Sequence, residues 1–150
     1  MSIEEIKAAI PHREPFLLVD EIVDRDTSRI VCRKHFTGQE FWYQGHYPHF
    51  PITPGVLLCE AAMQAGAILL APLVDASTGG VPVATRAGNI QFRQMVLPGD
   101  SVTIEVELVE QLANAYFMKA RVIHDPTGKI ACRLEFACTL ATPPTPPDGP

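Results

Sequence analysis

From Pro54 to Leu73 the chain reads PGVLLCEAAMQAGAILLAPL, apolar on every side except at Glu60 and Gln64. A helix with no polar face cannot lie on a surface, so the rest of the 150 residues must enclose it. Glu60 and the stop at Pro72 leave the apolar run short of the ~20 residues that cross a bilayer, which predicts a core helix rather than a membrane span. Pro54 suits a first helical turn, where its missing N–H costs nothing, and the Thr53 hydroxyl is placed to cap the free backbone donors.

A carboxylate set among Leu57, Leu58, Ala61 and Ala62 is costly when ionised, so the position of Glu60 favours the protonated acid unless a partner compensates. Gln64, one turn on, is the expected partner. Fourteen residues before Glu60 stands His46, in the segment GHYPHFPITPG, where Pro48, Pro51 and Pro54 recur at every third position. Proline fixes φ and restricts the residue before it, so this loop is expected to hold its imidazole rigidly. The His46–His49 spacing does not predict a metal site, because proline breaks helical geometry and no third ligand is near. His12, His35 and His124 read as structural or exposed.

An apolar content of 47% suits one globular domain, and a net charge of −5 argues against nonspecific nucleic-acid binding. Cys32, Cys59, Cys132 and Cys138 lack C-x-x-C spacing and read as buried thiols of a reducing compartment. No signal-peptide pattern opens the chain, and a cytoplasmic location is expected. Ser2 and Glu5 stand in capping-box spacing before a short helix ending at Pro11. Strands are expected over PFLLVDEIVDR and RIVCRKHF, joined by an Asp-Thr-Ser turn, then over VPVATRAGNIQFRQ, SVTIEVELVEQL, AYFMKARVIHD and KIACRLEFACTL. The single domain is expected to span 1–141, with 142–150 a proline-rich disordered tail. One long apolar helix and about six antiparallel strands predict an α+β fold whose sheet curls around the helix, the arrangement that a hotdog fold provides.

Three ordered motifs, PHREPFLLVD at 11–20, FWYQGHYPHFPITPGVLLCEAAMQ at 41–64 and IQFRQMVLPGD at 90–100, resemble the (3R)-hydroxyacyl-acyl carrier protein dehydratases of the FabZ type. The resemblance runs from about residue 3 to residue 141. It implies a hydro-lyase of fatty-acid synthesis with His46 and Glu60 as the catalytic pair, brought together across a homodimer interface, with further assembly into a trimer of dimers. It also implies an enolate held by the Gly55 N–H at the helix start, support of Glu60 by Gln64, no cofactor and no metal.

Phe41, Tyr43, Phe50 and Phe92 are expected to line an acyl tunnel, and Arg86, Arg93 and Lys119 to receive an acidic acyl carrier protein. The chain departs from the family pattern at Thr53, at His49-Phe50 and at Gln94-Met95. An acyl-thioesterase of the same fold, a noncatalytic acyl-binding protein and a dehydratase of a specialised lipid or polyketide pathway are the alternative readings. The His46 loop argues against the thioesterase, and an intact His46, Glu60, Gln64 and Gly55 against an idle site.

Overall fold

Alternation of side chains dictates most of the sheet. In β4 (Ser101–Leu112) Val102, Ile104 and Val106 are buried while Glu107 points outward, and in β5 (Ala115–His124) Tyr116, Met118, Ala120, Val122 and His124 are the buried set. The computed structural model describes residues 2–74 and 80–142. Its six strands form one antiparallel sheet, with β1 (Glu21–Arg25), β2 (Arg29–His35), β3 (Val81–Phe92) and β6 (Lys129–Ala141) joining the two above in the order β1-β2-β4-β5-β6-β3.

The β1–β2 hairpin closes where expected, with Asp26 Oδ1 accepting the backbone N–H of Ser28 and of Arg29, each at 2.8 Å. β1 is shorter than its sequence suggests. Pro15–Asp20 runs instead as irregular backbone over the helix, burying Leu17, Leu18 and Val19. At the N-terminus, α1 (Ile3–Ala9) is started by the Ser2 N–H donating to the Glu5 carboxylate at 3.1 Å, and it buries Ile6.

The apolar segment forms α2 (Gly55–Leu70) and continues through a short 3-10 turn at Ala71–Leu73. The helical stretch is thus 19 residues long, so its length alone does not exclude a span, contrary to the expectation from Pro72. Burial carries the argument instead: Leu58, Ala61, Ala62, Ala65, Ile68, Leu69 and Leu70 sit in one core with Ile30, Ile104, Met118, Leu134 and Phe136. At Gly66 a Cβ would lie 2.8 Å from the Phe136 ring, so glycine is what lets the helix approach the sheet this closely.

β3 is the exception to the alternation. It stands at the open edge of the sheet and is exposed along most of its length, with Val83, Ile90 and Phe92 turned to solvent. An uncovered edge with apolar side chains is a template for pairing with another chain. The tail expected at 142–150 lies outside the described residues from 143 onward.

Candidate active site

The loop before α2 is pinned at its root. A 3-10 turn over Phe41–Gln44 buries Trp42 and Tyr43, and Trp42 packs edge-on against the fully buried Phe36 at 6.2 Å. Ahead of it, Glu40 accepts the N–H of Thr37 and of Gly38 at 2.9 Å each and faces Lys34 at 3.9 Å. His46 follows, its N–H donating to the Trp42 carbonyl at 3.1 Å. Its Nδ1 lies 3.0 Å from the Ile52 carbonyl. A carbonyl oxygen can only accept, so in the neutral ring this contact selects the tautomer with the proton on Nδ1 and the lone pair on Nε2. Tyr47, at φ 50°, turns the chain left-handedly, and its ring stands edge-on to the imidazole at 4.8 Å.

Thr53 does not cap α2. It is buried, its Oγ1 is 2.6 Å from the Tyr43 hydroxyl, and its N–H donates to the Val96 carbonyl at 2.8 Å. The N-cap is Pro54, which offers no side-chain acceptor. The first turn of the helix therefore presents backbone donors and a positive dipole end that no side chain satisfies. Gly55 opens that turn. A Cβ there would come within 2.6 Å of the Phe92 ring, so Phe92 rests directly on the glycine. Burial raises the Tyr43 phenol above its ordinary value, which keeps it neutral in its bond with Thr53.

One turn along, Glu60 leaves the interior. Its side chain is 26% exposed, not enclosed as its apolar neighbours suggest, and it faces His12 at the flank of the helix. Gln64 Nε2 donates to Glu60 Oε1 at 3.2 Å and to the Phe16 carbonyl at 2.8 Å, while its Oε1 accepts the Leu18 N–H at 2.7 Å. His12 Nε2 stands 3.7 Å from the same Glu60 oxygen, and His12 Nδ1 is buried without a hydrogen-bond partner. Both neighbours approach Oε1 rather than Oε2. Sequence reasoning read His12 as structural or exposed; its sequence separation from Glu60 gave no periodic signal, and only the fold of the 11–20 segment over α2 brings the two together.

Within one chain no hydrogen bond or ion pair joins His46 to Glu60 among the described residues. Phe41, Phe50 and Phe92 are all about half exposed, whereas Tyr43 is buried at the root of the loop. Arg93 follows Phe92 directly and donates to Gln91 Oε1. Arg86 and Lys119 stand elsewhere, together with Glu110 and Glu135 in a groove of about 450 Å³ that contains neither His46 nor Glu60. Two further histidines have other partners: His35 Nδ1 meets Ser101 Oγ, and His124 bridges Asp100 and Thr127.

The match to known proteins covers this whole arrangement. The model of the FabA-like domain matches residues 10–134, from just before His12 to the middle of β6. The chain belongs to the FabA-like family. Within that family it is of the FabZ type: it is 42% identical over 132 residues to the 3-hydroxyacyl-[acyl-carrier-protein] dehydratase FabZ of Clostridium perfringens strain SM101, covering 88% of this chain and 93% of the relative. Among solved structures the FabZ-type chain resembles the dehydratase heterocomplex ApeI:P from Xenorhabdus doucetiae, with a TM-score of 0.73 at 11% identity and 91% of each chain covered. It also resembles a mutant thioesterase from Pseudomonas aeruginosa, with a TM-score of 0.71 at 16% identity and 94% of each chain covered. Both structural likenesses speak for the hotdog fold, and it is the sequence relatives that give this FabZ-type chain its place.

Proposed function

We infer that this protein removes water from (3R)-hydroxyacyl thioesters of acyl carrier protein in fatty-acid synthesis, yielding the trans-2-enoyl thioester, with His46 as base and Glu60 as acid. The identity to FabZ dehydratases along nearly the whole chain carries the reaction class. The geometry supports these roles. His46 Nε2, with Nδ1 held by the Ile52 carbonyl, takes the proton from C2. The electrons of that bond form the C2–C3 double bond, the C3–O bond breaks, and the departing hydroxyl leaves as water with the proton of Glu60. Gln64 holds Oε1, so Oε2 is the oxygen that faces the substrate. Enolate charge developing on the thioester oxygen meets the uncapped start of α2, with the Gly55 N–H as donor.

His46 and Glu60 meet between two copies of the chain. The support is the open β3 edge with exposed Val83, Ile90 and Phe92, and the exposed Phe41, Tyr47 and Phe50 beside His46. Pairing of two such edges sets His46 of one protomer against Glu60 of its partner, and a trimer of these dimers is the larger assembly. Phe41, Phe50 and Phe92 line the acyl tunnel, with Tyr43 as their buried support. The acidic carrier docks at Arg93, which stands beside the ring covering Gly55, while Arg86 and Lys119, close to Glu110 and Glu135, contribute less. The protein works in the cytoplasm without metal or cofactor.

The test is turnover of a (3R)-hydroxyacyl carrier-protein thioester by the purified protein, analysed by mass. Loss of one water with the thioester intact is the expected outcome. Release of free hydroxy acid would instead assign a thioesterase, and an inert protein would leave only acyl binding.

A further inference from the structure

Among the described residues two of the four cysteines stand against each other. Cys59 Sγ on α2 and Cys132 Sγ on β6 are 3.7 Å apart, and both residues are buried. The hydrogen bond between the two sulfurs holds the Cys59 thiol below its ordinary value, and that same bond, with burial, pushes the Cys132 thiol up. Cys59 is also the more accessible of the two, 7% exposed against 0% for Cys132, and is the sulfur that a small oxidant reaches first. Cys32 and Cys138 differ, for burial pushes them up to about 12 and about 11.

The location gives the pair a consequence. Cys59 directly precedes Glu60 and lies one turn after Gly55, and Cys132 is the register partner of Phe92, the residue that rests on Gly55. We propose that Cys59 and Cys132 are a peroxide-sensitive thiol pair whose disulfide ties the catalytic segment of α2 to β6 and switches the site off. The Cys59 thiolate attacks one oxygen of hydrogen peroxide; the O–O bond breaks, the other oxygen leaves as water after gaining a proton, and Cys59 becomes a sulfenic acid. Cys132 then attacks the Cys59 sulfur as it gives up its proton, the S–O bond breaks, and the departing hydroxide takes that proton and leaves as a second water. Two thiols lose two electrons in total, and one peroxide gains them. The sulfurs must close to about 2.05 Å, drawing the start of α2 and β6 together, and a misplacement of about 1 Å at a reacting group is enough to cost roughly 10²-fold in rate.

The activity arm of this proposal rests on the dehydratase reading, and the chemical arm does not. Purified oligomer is treated with hydrogen peroxide, quenched with catalase, unfolded in denaturant and labelled with N-ethylmaleimide. Untreated chain carries four cysteines and takes four labels, whereas treated chain takes two, four less the two joined. Peptide mapping then finds the Cys59–Cys132 link. Dehydration falls by about tenfold or more, dithiothreitol restores it, and the Cys59→Ala/Cys132→Ala double variant keeps its activity through the treatment. Four labels on treated chain, a link between other cysteines, or a linked chain as active as the reduced one would overturn the proposal. Absence of dehydration in untreated protein would count against the function instead, and the label count would still decide the disulfide.

Discussion

Gln64 holds Glu60 by a single oxygen, Nε2 to Oε1 at 3.2 Å, while the same amide bridges α2 to the buried segment before β1 through Phe16 and Leu18. A side chain that is 1% exposed thus fixes both the helix and the carboxyl that the helix presents. Its four-residue spacing from Glu60 is ordinary helix geometry, but its two backbone partners lie 46 and 48 residues away in sequence.

Replacing Gln64 by Leu keeps the volume and removes every one of these bonds. The Leu18 N–H and the Phe16 carbonyl lose their partner, which is expected to cost about 2–4 kcal/mol of stability. Urea unfolding reads that loss, and kcat falls as Glu60 becomes free to rotate. An unchanged unfolding midpoint would show that water replaces the amide at no cost.

Gly55→Ala places a methyl group against the Phe92 ring and into the approach to the helix start. The expected result is a fall in kcat/KM of about 10²-fold. A second substitution, Phe92→Ala, separates the two effects: it should recover thermal stability lost to the ring contact without recovering the rate. Recovery of both would reduce Gly55 to a packing residue.

Acid should loosen the His46 loop through Glu40. Burial alone would raise this carboxyl, but the N–H groups of Thr37 and Gly38, its own backbone contact and Lys34 outweigh it and hold it below the ordinary value of 4.5. A carboxylate depressed in the folded state contributes stability that is present above its unfolded value and lost as pH falls through the folded one. Unfolding midpoints of the wild type should therefore decline between about pH 5 and pH 3 more steeply than those of Glu40→Gln. Parallel curves would remove Glu40 from the acid response.

The elements were legible where one rule governed. All four later strands lie where their sequence composition places them, although β3 lacks the buried alternation of the other three, and α2 occupies the run whose lack of a polar face demands enclosure. Local rules failed where a distant partner won. Thr53 has the chemistry of a cap, yet Tyr43 captures its hydroxyl, and Pro15–Asp20 has strand composition but is drawn over α2 by Gln64. The motifs singled out His46, Gly55, Glu60 and Gln64; His12 escaped because its approach to Glu60 exists only in three dimensions.

The most direct measurement mixes two inactive variants. His46→Ala and Glu60→Gln should each lose about 10²-fold or more in dehydration rate when assayed alone. When equal amounts are unfolded together and refolded, half of the dimers are mixed, and each mixed dimer holds one site with both groups intact. The account predicts recovery of about one quarter of wild-type activity. No recovery, with mixed dimers verified by mass, would contradict a site built from His46 of one protomer and Glu60 of its partner.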